Sequence, residues 1–137
     1  MSAINVLSVL ERTVIKAGVS TSTARAFAGE GLAAFRAGDH AGAATLFGRG
    51  EQAASKTVQL LDAAHPTGAE AYGTSNLISN LSEDAASALR QLTGDLGKGA
   101  MHVERSVNAI DTMLGVARHN VGELRDMARS VRVGNAG

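Results

Sequence analysis

Apolar positions in the last third of the chain keep one rhythm. Leu96, Ala100, Val103, Val107, Ile110, Leu114, Ala117, Val121, Leu124, Ala128 and Val131 follow one another in steps of four and three without exception. On a helix that spacing gathers all of these side chains into one narrow stripe, the geometry of a seam that packs against another helix. The steps predict a long helix over residues 100–132, on the order of 50 Å from end to end at the usual rise per residue. Beside the stripe stand Glu104, Asp111, Arg118, Arg125 and Arg132, acids early and bases late. In an antiparallel pair of identical helices, Glu104 would approach Arg125 or Arg132, and Asp111 would approach Arg118 or Arg125, which would set partner and orientation. Matching of charge to the helix dipole alone places them the same way. The candidate interface residues are therefore Val103, Val107, Ile110, Leu114, Ala117, Val121, Leu124 and Ala128 with those five flanking charges. Packing inside one domain and pairing with a second chain both remain open.

Upstream, Ile4, Leu7, Leu10 and Val14 predict a first helix over 3–17, with Gly18 as its left-handed stop. Ser20, Thr21 and Ser22 offer caps for a second helix carrying Ala24, Phe27, Gly31 and Ala34 on one side. Gly29 and Gly31 each cost about 1 kcal/mol relative to alanine inside a helix, which calls for compensation such as close backbone contact. Gly38 followed by Asp39 is a helix stop next to an N-cap, the mark of a tight helical hairpin. Ala43, Phe47, Gly50, Ala54, Thr57, Leu61 and Ala64 then predict a third helix, widened by Leu46, Ala53 and Leu60 and expected to be the central, most buried one. Pro66 ends it at or before His65.

A loop is expected over 65–73. Leu77, Ile78 and Leu81, then Ser82-Glu83-Asp84 as a capped start for Ala85, Ala88, Leu89 and Leu92, suggest one or two further helices. Gly94, Gly97 and Gly99 read as a joint before the last helix. The expected fold is all-α: a five- or six-helix bundle with a tight helical hairpin and a long C-terminal heptad-patterned helix. It forms a single helical domain over 1–137, divided into a core (1–93), a Gly-rich hinge (94–99) and the long helix (100–132).

Composition narrows the function more than the fold. The aromatics are only Phe27, Phe35, Phe47 and Tyr72, and a core of small aliphatics suits closely approaching helices. Thirteen basic and thirteen acidic residues cancel, which disfavours nucleic acid and anionic membrane as partners. The absence of cysteine removes disulfides, thiolate metal sites and thiol catalysis together. Glu11, Arg12 and Lys16 interrupt the first apolar stretch, so neither a signal peptide nor a membrane span is expected, and a cytoplasmic or virion setting fits.

Candidate chemistry is thin. His40, His65, His102 and His119 fall at no metal-ligand spacing, and no Glu completes a zinc-protease frame. Glu83-Asp84 reads as helix-start chemistry. Gly94-Asp95-Leu96-Gly97-Lys98-Gly99 lacks both the spacing of a phosphate loop and a preceding strand, and no nucleophile elbow is present. Met101, Met113 and Met127 on or near the long helix serve equally as adaptable contacts and as core fillers. No catalytic residue, metal ligand, cofactor site or small-molecule substrate is expected.

Within 31–47, the small Gly31, the aromatic Phe35, the Gly38-Asp39 turn, the small Ala43 and the aromatic Phe47 together resemble one tetratricopeptide repeat. The resemblance implies two antiparallel helices brought together by small residues and, in stacked form, a peptide-binding groove. The chain departs from that pattern at Gly50, where the family has alanine, and at Pro66, which lies far beyond the family's closing proline. No second copy follows at a period of about 34 residues, and about three are needed for a stable array. The expected function is a non-enzymatic structural or assembly subunit that packs through helices into a larger complex, a phage virion being one setting. Its partner is a second copy or another helical subunit. The resemblance implies the alternative, a small adaptor or chaperone that binds a peptide or partner helix.

Overall fold

A computed structural model describes residues 8–136, with side chains placed for 8–130. The expected inner residues Ile4 and Leu7 lie outside the described residues. Among the described residues there are four α-helices and no strand: α1 (Val9–Arg36), α2 (His40–Ala64), α3 (Ala69–Gly94) and α4 (Ala100–Ala136). A single 3-10 turn, Leu96–Lys98, joins the last two. Each helix packs on its neighbour in sequence, and α1 closes against α4, giving an up-down-up-down bundle.

The turns are built from recognisable stops and starts. Ser8 caps α1 by accepting the Glu11 N–H at 3.0 Å. At the other end Gly38, with φ +85°, lets the Gly38 N–H reach the Phe35 carbonyl and the Asp39 N–H reach the Ala34 carbonyl, a Schellman closure. Asp39 then caps α2 by accepting the Gly42 N–H at 2.9 Å. Helix α2 ends at Ala64, with His65 in the left-handed region just before Pro66. Leu96 is buried in the 3-10 turn, and Gly99 at φ +106° redirects the chain into α4.

Among the described residues the helices number four, not five or six, and two ambiguous local signals explain the difference. Gly18 does not stop a helix. Helix α1 runs through it, and the Ser20 and Thr21 hydroxyls donate to the Ala17 carbonyl at 3.0 and 2.7 Å instead of capping a new start. The glycine is there for α4: a Cβ added at Gly18 would stand 3.2 Å from Val121 Cγ1. Ser82 likewise lies inside α3, buried and facing the core, while the helix starts at Ala69. The loop before it is therefore shorter than expected, spanning 65–68. No helix is central either, since each one touches two neighbours. Helix α2 buries one residue per turn, from Ala43 and Phe47 to Thr57 and Leu61, fewer than α1 does.

The core divides into two apolar halves. One holds Leu32, Phe35, Phe47, Ala54, Ala85, Leu89 and Leu92 with Val103, Val107, Ile110 and Leu114. The other holds Val14, Ala17, Leu61 and Ile78 with Ala117, Val121 and Leu124. Between them three helices put a buried hydroxyl: Thr21 between Ala17 and Ala24, Thr57 between Ala54 and Leu61, Ser82 between Ile78 and Ala85. Ser20 joins the layer, and its Oγ lies 2.6 Å from Thr57 Oγ1, which is in turn 3.2 Å from Thr21 Oγ1.

Candidate interaction surface

The seam of α4 faces its own chain. Val103, Ile110, Leu114, Ala117 and Leu124 are fully buried, and Val107, Val121 and Ala128 nearly so. All but Ala128 belong to the two half-cores, and α4 packs on α1 and α3. The stripe is shorter than its sequence pattern. Leu96 sits in the 3-10 turn and Ala100 is exposed, while the side chains of Val131 and Arg132 lie outside those described.

The charges beside the seam are also engaged within the chain. Arg25 grips Asp111 with two hydrogen bonds, Nε to Oδ1 at 2.6 Å and NH2 to Oδ2 at 3.2 Å. Arg36 pairs with Glu104 at 2.8 Å, and Arg118 Nε donates to Ser22 Oγ at 3.1 Å. These three links form an antiparallel rail between α1 and α4. Arg125 stands 3.7 Å from Asp126 on its own helix. Across the opposite side of the bundle, Glu51 and Arg90 pair α2 with α3 at 3.7 Å.

The Arg25 hydrogen bond, joined by the guanidinium's charge, holds the Asp111 carboxyl below the usual aspartate range, against an opposing effect of partial burial. A depressed folded pKa makes the pair's contribution complete above the ordinary aspartate range and erodes it as pH falls through the lower folded value. Both side chains are about half exposed (48% and 49%), so screening limits the contribution to at most about 1 kcal/mol. Asp111→Asn is expected to lower stability by no more than that near neutral pH, with the difference from wild type vanishing under strong acid. Urea titrations across the acid range check it. Asp95 is also held low: burial pushes it up, but the hydrogen bonds and charges of Lys98 and His102 outweigh that.

The histidines take local roles. His40 stacks on Phe35 with ring centroids 4.9 Å apart, His102 meets Asp95 at 3.2 Å, and His119 lies 3.7 Å from Glu123. Among the described residues, no group of three or more His, Asp or Glu side chains is placed to hold a metal ion. Nor is any helix among them long and apolar enough to cross a membrane.

Exposed large apolar side chains stand on α1 (Val9, Ile15, Val19), on α3 (Tyr72, Leu77) and on α4 (Met101, Val116), and two of those on α1 belong to a regular row. Ile15, Val19, Ser22, Ala26, Gly29 and Ala33 are all exposed and follow one another in steps of four, three, four, three and four. They make a second stripe, on the side of α1 opposite its buried residues, with Ile15 at 38% and Val19 at 63% exposure. No charged residue interrupts it. The outer ridges of the other helices carry such groups: Arg49, Lys56 and Asp62 on α2, Glu83, Asp84 and Arg90 on α3, Arg105, Glu123 and Arg129 on α4.

A shallow groove flanks the stripe on each side. One, of about 390 Å³, lies towards α4 between Val19, Ser22, Val121 and Gly122. The other, of about 500 Å³, lies towards α2 between Val19, Thr23, Ala53 and Leu60. The ionisable groups lining them are Arg118 and Arg125 in the first and Lys16 and Lys56 in the second, with no carboxylate. These walls are largely apolar with basic side chains at their edges, and they bring together no acid–base pair. This stripe was legible in principle, because its steps match those of α4. The apparent break at Gly18 cut it in two. Neither a protein-family model, nor a curated protein, nor a solved structure matches this chain.

Proposed function

We propose that this protein is a non-enzymatic structural or assembly subunit that packs through a helix face into a larger complex, with a phage virion as one setting. The observation that carries this reading is the uncharged outer stripe of α1, from Ile15 to Ala33, left uncovered while the α4 seam is spent on the chain's own core. Exposed apolar ridges with polar margins are where protein partners dock. Cofactor, small-molecule substrate and nucleic acid have no part in the proposal. Mass in solution, measured alongside complexes isolated from the native source, tests it. A larger species that Val19→Asp disrupts supports it; a strict monomer at high concentration, with no partner recovered from the source, overturns it.

A second reading draws on the groove towards α4, whose wall at Ser22, Thr23 and Ala26 belongs to the helix that leads into the tetratricopeptide-like turn. In that reading the protein is a small adaptor that holds a peptide or partner helix there. Saturable binding of an amphipathic peptide, lost in Gly122→Leu, would favour it over assembly.

A further inference from the structure

The outer stripe of α1 carries information about its occupant. Its bulky members, Ile15 and Val19, stand at one end, and its small members, Ala26, Gly29 and Ala33, at the other. Laid antiparallel on itself, the stripe sets Ile15 against the partner copy's Ala33, Val19 against the partner copy's Gly29, and Ser22 against the partner copy's Ala26. Every large side chain then meets a small one. A parallel arrangement would set Val19 on Val19 and leave Gly29 facing Gly29, crowding one end and emptying the other.

Charge along the α2 margin agrees with size, and Arg25 on the α4 margin, which meets its own copy in that register, is already neutralised by Asp111 of its own chain. Lys16, Thr23 and Glu30 run along the α2 side of the stripe at seven-residue intervals, and all three are exposed. Lys16 and Glu30 have no ion-pair partner among the described residues, in contrast to Arg25 and Arg36 on the same helix. The antiparallel register that matches large to small residues also brings Lys16 of each copy within a turn of Glu30 of the other, with Thr23 next to the two-fold axis. Flanking pairs of this kind select partner and orientation in paired helices.

We propose that the protein self-associates through α1, two copies lying antiparallel along the stripe from Ile15 to Ala33 with reciprocal Lys16–Glu30 pairs at the margin. This rests on the assembly reading above and names its partner as a second copy. The stripe is about 27 Å long at the usual helical rise. Together with its margins it buries on the order of 1,000 Å² in total, the low end for a specific interface and the size of a transient one.

Sedimentation over roughly 10 μM to 1 mM, a range chosen for an interface of that size, is expected to show mass rising from one chain to two. Val19→Asp should leave helicity unchanged, since Val19 faces solvent, and weaken the dimer by at least about tenfold. Lys16→Glu and Glu30→Lys should each weaken it, and the double exchange should restore it. The chain has no cysteine, so orientation can be read by crosslinking: Ile15→Cys mixed with Ala33→Cys should form disulfide-linked pairs, while Ile15→Cys alone should not. A chain that stays monomeric throughout, a dimer indifferent to Val19→Asp, or crosslinking between two Ile15→Cys chains overturns the proposal. A monomer that nonetheless loses a heterologous partner on Val19→Asp overturns self-association while leaving the assembly reading intact.

Discussion

Leu114→Asp is expected to abolish the folded state. Leu114 is fully buried at the middle of α4, in the larger half-core that also holds Leu89, Phe47 and the alanines of α1 and α2. A carboxylate there has neither water nor a cation, and a neutral carboxyl still forfeits its hydrogen bonds. Losing a buried leucine and stranding a polar group together cost more than about 4 kcal/mol, against a total stability of about 5–15 kcal/mol for a typical domain. Circular dichroism should report loss of helix or a collapse of the melting temperature. The same substitution at Val19, on the outer face of α1, should leave the melt nearly unchanged. A Leu114→Asp chain that kept its helices while a larger species fell apart would mean that the α4 seam joins chains instead of filling one.

Gly31→Leu is expected to be nearly as damaging, for a steric reason. A Cβ at Gly31 would stand 2.5 to 3.0 Å from three atoms of the Phe47 ring, closer than real Cβ contacts come, and that ring is fully buried. The contact explains why a residue that weakens α1 by about 1 kcal/mol is kept: it lets α2 approach until the ring lies against the α1 backbone. Adding a leucine should cost about 3 kcal/mol or more by overpacking. Emptying the site with Phe47→Ala should make the double variant less unstable than the two single losses added together, a coupling readable by denaturant titration. Two residues away Gly29 has nothing within 4 Å of its added Cβ, so Gly29→Leu should stabilise the isolated chain slightly.

Those two glycines show how far the sequence could be read. Both break the helix-propensity rule, yet only Gly31 is compensated by close packing. Which one it would be depends on the position of Phe47 across the hairpin, a long-range fact. The α4 stripe was legible because eight positions in strict alternation leave no other helical face to bury, and each of the eight is buried. The Gly38-Asp39 turn was legible because its chemistry is local. Helix number was not, because Ser20, Thr21 and Ser82 offer the same hydroxyls to a cap as to a core, and only the helices packed around them decide. In consequence a helix stop at Gly18 would split the outer stripe of α1, and the seam of α4 with its flanking charges is the more conspicuous in sequence, although Asp111 and Glu104 pair with Arg25 and Arg36 of the same chain.

The hydroxyl layer has a consequence for how the bundle finds its alignment. Much of the interior is alanine, and alanine ladders slide past one another with little to tell one offset from the next. Thr57 ends that indifference. Moving α2 along α1 by a single turn would carry its oxygen away from Ser20 and Thr21 and leave it only the long 3.4 Å bond to the Ala53 carbonyl of its own helix, at a cost of about 1 kcal/mol for the hydrogen bonding lost. The polar rung acts as a vernier mark: alkyl packing holds the rods together, and a few hydroxyls decide where along their length they stop.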